Sequence, residues 1–183
     1  MTRTRAAVGS VVFVVAEPGV MGFLVPYWIS GGWVGSDAPF VLQAAGGVLL
    51  TVGVSVLVHT VIRFVVEGLG TPFPAAPTQN LVVGGAYRYV RNPMYLAVIA
   101  SILGQAAILG SASLVVYAGI LWVTVATFVR SYEEPTLSSR YGEQYAAYRR
   151  AVRGWWPRAT PWRGDEGSAR SEASGRSTAS ASR

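Results

Sequence analysis

The chain has 183 residues, of which 51% are hydrophobic and only 13% are charged, about half the charged share of an average soluble protein. Together with a mean hydropathy of +0.38, this indicates a one-domain integral membrane protein. The absence of cysteine excludes disulfides and thiolate nucleophiles, and a single histidine makes a zinc or haem site improbable, so we expect no metal. The net charge of +6 is carried by arginine alone, which excludes Schiff-base chemistry and a P-loop lysine.

Four apolar runs predict four transmembrane helices, at residues 8–30, 40–66, 92–109 and 114–130. The first covers about 23 residues, enough for a hydrocarbon core of about 30 Å, and Pro18, Gly19 and Pro26 should kink it. The last two runs form legs of about 16 residues that reach only about 24 Å, so their polar ends are expected at the headgroup boundary.

The arginines set the predicted orientation. They lie at the N-terminus, in the 63–91 region and after residue 130, whereas the turns at 31–39 and 110–113 contain none. The positive-inside rule therefore places both termini in the cytoplasm. No base-reading motif accompanies the arginines, so anionic membrane lipids, and not nucleic acid, are the expected partners.

The C-terminal part predicts a cytoplasmic amphipathic helix at 136–153, followed by a disordered tail at 159–183. Leu137, Tyr141, Tyr145 and Tyr148 recur on one helix face. From residue 159 the sequence is mostly Ser, Ala, Arg and Gly, which is typical of disorder. The predicted transmembrane domain thus covers residues 1–158.

Two polar clusters flank the last two runs, at residues 85–95 and 130–135. No charged residue lies between Leu96 and Val129, and the turn at 110–113 sends the chain back. The predicted hairpin therefore brings Arg91 to the same side of the bilayer as Glu133 and Glu134.

The residue types in these clusters suit an anion and a cation. Arg91 and the helix start at Asn92 and Pro93 favour a carboxylate or a phosphate. Glu133 and Glu134 oppose the dipole at a helix C-terminus, and they can hold an ammonium, a sulfonium or Arg91 itself. The simpler alternatives are arginines that contact lipid phosphates and a solvated acidic pair beside Arg130.

Four further polar side chains fall inside or beside the first two runs. His59, Arg63 and Glu67 share one helix face, and Glu17 lies beside Pro18. Ionisable groups at such depth are candidates for a functional site. The alternative is a helix-locking ion pair of Arg63 with Glu17 or Glu67.

The order of two motifs resembles the integral-membrane methyltransferases, which include isoprenylcysteine carboxyl methyltransferases and phospholipid N-methyltransferases. The first motif is Gly-x-Tyr-Arg-x-Val-Arg-Asn-Pro-Met-Tyr over 85–95, and the second is Glu-Glu-x-x-Leu-x-x-x-Tyr-Gly-x-x-Tyr-x-x-Tyr over 133–148. Thr-Pro-x-Pro-x-x-Pro-Thr over 71–78 is similar to bacterial members, which implies a bacterial plasma membrane. The family often has His at the position of Asn92, and Asn cannot titrate.

The resemblance implies S-adenosylmethionine as the cofactor, bound on the cytoplasmic side between the two motifs. Glu133 or Glu134 would hold its ammonium, and Arg91, Asn92 and Pro93 its carboxylate. Four tyrosines would pack on adenine or face the sulfonium: Tyr87, Tyr95, Tyr145 and Tyr148. Methyl transfer needs in-line positioning and exclusion of water, and neither a metal nor a protein nucleophile.

The implied acceptor is lipidic and reaches the site from the bilayer, either as an isoprenylcysteine-type carboxylate or as a phospholipid amine. The expected catalytic residues are Arg91, Glu134 and His59. An amine must lose a proton, which His59 or Glu17 can accept. Two other functions stay open: an NADPH-dependent membrane reductase of an unsaturated lipid, which would need more spans, and a non-catalytic membrane scaffold or sensor.

Overall fold

The computed structural model describes residues 16–34, 38–68 and 81–164, and in these ranges every regular element is helical. This confirms the predicted all-α class. A π turn at Val20–Leu24 leads into α1 at Val25–Ile29, and α2 covers Phe40–Gly68. A 3-10 turn at Gly85–Arg88 precedes α3 at Pro93–Leu109 and α4 at Ala112–Phe128. A second π turn at Val129–Glu133 joins α4 to α5 at Glu134–Ala151.

Two of these helices are long and apolar enough to cross a membrane. They are the Phe40–Arg63 part of α2 and the continuous helix Ala112–Ala151, which comprises α4 and α5. Helix α3 is apolar but only 17 residues long. The four-span arrangement stays a prediction, because the start of the first predicted span lies outside the described residues. The loop at 69–80 also lies outside them.

Helices α2 and α3 form the tightest packing of the bundle because small residues line their interface. A Cβ on Gly46 would lie 2.7 Å from the carbonyl oxygen of Gly104, and one on Gly104 would lie 2.7 Å from the backbone nitrogen of Leu50. A Cβ on Gly53 would lie 2.7 Å from Oγ of Ser101. Glycine at these positions lets two backbones approach as they do in membrane bundles, where close van der Waals contact drives association.

A π turn at Val20–Leu24 lies between Pro18 and Pro26, in the segment where a kink was predicted. Pro26 has no N–H, so it cannot donate to the carbonyl of Gly22 one turn earlier. Nε2 of Gln105 on α3 donates to that carbonyl instead, at 2.7 Å. Oε1 of Gln105 accepts from Nε1 of Trp33 at 3.2 Å. The buried side-chain amide of Gln105 therefore supplies the hydrogen bond that Pro26 cannot donate, and it ties the first helix to α3.

Helix α5 is broken near its middle, which the aromatic periodicity did not reveal. Gly142 has φ +48° and ψ −123°, a conformation that is essentially restricted to glycine. The break lies between the acidic end of α5 and Tyr145. The break therefore sets the direction in which the second half of α5 runs. The helix also begins at Glu134, two residues before the predicted start.

Residues 152–164 form a C-terminal strap that runs back along the segment before α3. The backbone nitrogens of Arg91 and Asn92 donate to the carbonyls of Arg153 and Gly154, at 2.9 and 3.2 Å. Farther along, Trp162 donates its backbone N–H to the carbonyl of Arg88 at 2.9 Å. The packed segment thus extends beyond residue 158, the predicted end of the domain. The remainder of the predicted tail, 165–183, lies outside the described residues.

Candidate active site

Arg91 and Glu134 meet directly, as the predicted hairpin requires. Nη1 of Arg91 lies 2.7 Å from Oε1 of Glu134, and the two side chains are only 13% and 16% exposed. The same Nη1 donates to the hydroxyl of Tyr145 at 2.9 Å. On the outer side, Nη2 of Arg149 reaches Oε2 of Glu134 at 3.2 Å. Glu134 is therefore the partner that holds Arg91 in place.

Glu133 has a different environment from its neighbour. Its Oε2 accepts from the hydroxyl of Tyr95 at 3.2 Å, and no arginine forms a salt bridge with it within the described residues. Burial raises the pKa of Glu133 above its usual range, and the nearby charge of Glu134 raises it further, whereas Tyr95 and Arg91 lower it. Of the two adjacent carboxylates, Glu133 is the one left to bind a cationic group.

Two N–H donors beside the pair have no hydrogen-bond partner among the described residues. They are Nε of Arg91 and Nδ2 of Asn92, and both are buried. Buried donors are rarely left unpaired, because desolvation costs about 1–3 kcal/mol when no bond compensates it. Gly154 of the strap lies against them, since a Cβ there would be 3.3 Å from Nη2 of Arg91 and 3.5 Å from Nδ2 of Asn92.

The aromatic residues expected around a cofactor are largely part of the protein interior. Tyr145 and Tyr148 are 2% and 3% exposed. The hydroxyl of Tyr148 donates to the carbonyl of Tyr87 at 2.7 Å, and its ring packs on Trp162 with 5.2 Å between centroids. Burial raises the pKa of both tyrosines above a usual value that already keeps the hydroxyl protonated at neutral pH. Their observed contacts hold Arg91 and the 3-10 turn in position.

His59 lies on the exposed side of α2, against the 3-10 turn. A Cβ on Gly85, whose φ is +56°, would lie 2.7 Å from Nε2 of His59 and 3.3 Å from Cγ of Arg63. Within residues 16–34, 38–68 and 81–164, His59 makes no hydrogen bond or ion pair. The structure thus does not join His59 to the Arg91–Glu134 pair. Glu67 lies near the end of α2, and its side chain is not among those that the structure describes.

The strap is the part of the site that sequence reasoning missed. Gly154 directly follows the predicted helix at 136–153, and Trp162 falls in the predicted disordered tail at 159–183. The available signal was the aromatic residues at 155, 156 and 162, which an unpacked tail does not need. Trp155 lies edge-on to Trp122 of α4, with 6.3 Å between the ring centroids. The strap thus contacts both α4 and the first motif.

A family model described as phospholipid methyltransferase matches residues 41–144, which is more than half of the chain and includes the whole first motif and residues 133–144 of the second. The chain belongs to the phospholipid methyltransferase family. This confirms the resemblance seen in the two motifs and, with the two apolar helices, establishes a membrane protein of a methyltransferase family. No curated protein and no solved structure matches the chain in the other two comparisons.

Membership in this family favours methyl transfer over the reductase alternative. The matched range ends at residue 144, so it includes Arg91, Glu133 and Glu134 but not Tyr145, Tyr148 or the strap. The contacts of those later residues come from the structure alone.

Proposed function

We propose that this protein transfers a methyl group from S-adenosylmethionine to a lipidic acceptor that reaches the site from the bilayer. The observation that carries the proposal is that two unpartnered buried donors, on Arg91 and Asn92, lie beside an acidic pair of which Glu133 forms no salt bridge among the described residues. A cationic, donor-rich side and an acidic side match a molecule that has both a carboxylate and an ammonium group.

The donor set fits the amino-acid part of S-adenosylmethionine. Nε of Arg91 and Nδ2 of Asn92 would hold the carboxylate through a charge-assisted and a neutral hydrogen bond. Glu133 would hold the ammonium, because Glu134 is already engaged by two arginines. This refines the expectation that Arg91 and the acidic pair are opposite ends of one clamp. Glu134 pairs with Arg91 and belongs with it to the end that would hold the carboxylate, whereas Glu133 would form the other end.

When bound, S-adenosylmethionine supplies a methyl group on a sulfonium, and sulfur keeps the electron pair of the carbon–sulfur bond as the acceptor bonds to the methyl carbon. The protein's own task is positioning and desolvation. Glu134 and Tyr145 hold Arg91 in place, and the hydroxyl of Tyr148 holds the carbonyl of Tyr87. The strap covers Arg91 and Asn92 through Gly154.

The test is incubation of membranes that contain the full chain with radiolabelled S-adenosylmethionine, followed by separate extraction of lipid and protein. We expect label in the lipid extract, and its loss in Arg91→Ala and Glu133→Ala. Glu143→Gln is the matched control, because Glu143 is exposed on α5 and lies in neither cluster. Equal labelling by the wild type and both alanine variants would overturn the proposal.

A further inference from the structure

A cavity of about 480 Å³ lies between the end of α2, the 3-10 turn, α5 and the strap. Three of these elements each contribute one arginine to its wall: Arg63 from α2, Arg88 from the 3-10 turn and Arg163 from the strap. Gln144 of α5 adds a further polar side chain, and none of the described lining residues is acidic. Because three positive charges around one space repel one another, the cavity favours an anionic ligand.

The size of the cavity and the rest of its lining suit an anion that has an organic part. Val83, Ala147 and Trp162 supply apolar surface beside the arginines. The cavity lies within the range of about 300–1,000 Å³ that is usual for small-molecule sites. A bare phosphate ion would leave most of this space empty, whereas a phosphate group with a glycerol-sized substituent would use it.

The cavity is separate from the candidate active site, although the two share a wall. Gln144 and Ala147 line the cavity, whereas Tyr145 and Tyr148, on the neighbouring face of α5, are buried on the side of the candidate active site. Trp162 lines the cavity and also packs on Tyr148, with 5.2 Å between the ring centroids. A ligand in the cavity can therefore affect the strap without occupying the place of the methyl donor.

Arg63 indicates that the cavity lies where the membrane ends. It is the last residue of Phe40–Arg63, the part of α2 that is long and apolar enough to cross a membrane. Phospholipid phosphates lie at this boundary, and basic pockets beside the cytoplasmic ends of transmembrane helices bind anionic headgroups. Arg63 faces this cavity, whereas Glu17 lines a different groove beside Tyr95, so the two do not form the helix-locking pair.

We propose that this cavity binds the phosphate-bearing headgroup of an anionic phospholipid, which acts there as a bound partner and not as the methyl acceptor. Arg63 and Arg163, both exposed, contact the phosphate from α2 and from the strap. The planar guanidinium group is well suited to phosphate, because it offers two parallel N–H donors. The absence of acidic groups from the described lining disfavours headgroups with an ammonium group.

The bound headgroup should hold the strap against the first motif. The backbone N–H of Trp162 donates to the carbonyl of Arg88 at 2.9 Å, and Nε of Arg88 donates to the carbonyl of Trp162 at 2.6 Å. A phosphate held by Arg163, the next residue of the strap, and by Arg63 adds a link from the strap to α2. Local opening of the strap then costs more, so the N–H of Trp162 should exchange with solvent more slowly.

The first test measures lipid binding. Purified full chain in detergent is mixed with phosphatidylglycerol or with phosphatidylcholine of the same acyl chains, and native mass spectrometry measures the lipid that is retained. We expect the wild type to prefer phosphatidylglycerol. Arg63→Gln and Arg163→Gln should each lower that preference about tenfold, because each removes a hydrogen bond between charged groups. Arg150→Gln is the matched control, since Arg150 is exposed on α5 and does not line the cavity.

Gln144→Glu keeps the inference testable if the arginine variants are unstable. Gln144 is exposed on α5, and a carboxylate there would repel an anionic headgroup from the cavity. This variant should therefore also lose the preference for phosphatidylglycerol. Equal retention of the two lipids by the wild type would overturn the inference, and so would an undiminished preference in the variants.

The second test measures hydrogen exchange at the backbone N–H of Trp162 with phosphatidylglycerol, phosphatidylcholine or millimolar glycerol 3-phosphate. We expect only phosphatidylglycerol to slow the exchange, and Arg163→Gln to abolish this effect. Equal slowing by glycerol 3-phosphate would assign the cavity to a soluble phosphate and overturn its assignment to a lipid. Exchange that phosphatidylglycerol leaves unchanged would overturn the link to the strap. Neither test uses S-adenosylmethionine, so both judge the inference independently of the proposed function.

Discussion

Replacing Glu134 with Gln removes one negative charge and keeps the shape of the side chain. At an effective dielectric constant of about 20, two unit charges 2.7 Å apart attract each other by about 6 kcal/mol, and desolvation of both groups opposes this attraction. Loss of one partner from a buried pair costs about 3–5 kcal/mol because the other charge is left uncompensated. Since Arg91 and Glu134 keep some exposure, we expect a loss of about 3 kcal/mol in the free energy of unfolding.

Arg149→Gln provides the comparison on the same carboxylate. Arg149 is 54% exposed and lies 3.2 Å from Glu134, and exposed pairs contribute only about 0–1 kcal/mol. Denaturant titration of the purified chain in detergent should therefore show a small change for Arg149→Gln and a large one for Glu134→Gln. The reasoning is refuted if the two variants lose equal stability, or if Glu134→Gln stays within about 0.5 kcal/mol of the wild type, as neutral surface substitutions do.

Further outcomes follow from single contacts. Burial raises the pKa of Glu133, so its side chain ionises at a higher pH than an ordinary carboxyl group does. The affinity for S-adenosylmethionine should therefore rise with pH as Glu133 ionises. Calorimetry at several pH values should show this rise in the wild type and no such dependence in Glu133→Gln. Gly46→Ala should lower the free energy of unfolding by about 1–3 kcal/mol in denaturant titrations, since its Cβ would lie 2.7 Å from the carbonyl oxygen of Gly104. Gly47→Ala should not destabilise the bundle, because a Cβ there would meet open space. Equal losses in the two variants would contradict the packing account. Trp162→Ala should weaken binding of S-adenosylmethionine because the strap loses its contact with Tyr148, while Trp156→Ala, at a side chain 73% exposed, should bind as the wild type does.

The sequence was sufficient to predict where the charged residues meet. An apolar hairpin without a charged residue between Leu96 and Val129 leaves only one arrangement, in which Arg91 and the acidic pair return to the same side. The observed distance of 2.7 Å between Arg91 and Glu134 agrees with it. The helical class followed equally well from the length and the apolar character of the runs.

The division of roles between Glu133 and Glu134 could not be predicted. It depends on the π turn at Val129–Glu133, which adds a residue to one helical turn and so changes which carboxylate faces Arg91. Nothing in the local composition marks that turn. The apolar periodicity of α5 likewise continues through Gly142, although the backbone there leaves the helical region.

The aromatic residues of the strap signal packing, but its path could not be predicted because backbone hydrogen bonds hold it along the first motif. The carbonyls of Arg153 and Gly154 accept from the first motif, and any residue offers the same carbonyl group. Burial of Tyr145 and Tyr148 follows from this arrangement, since Trp162 packs against Tyr148. Periodicity identified the aromatic face of α5 but not what packs against it.

Binding of S-adenosylmethionine to the purified chain tests the central claim most directly. Calorimetry should give a dissociation constant in the micromolar range for the wild type and no measurable binding for Glu133→Ala or Arg91→Ala. The matched variant Glu143→Gln should bind as the wild type does. If the wild type does not bind, or if it binds no better than Glu133→Ala and Arg91→Ala, the assignment of this site to the cofactor is wrong.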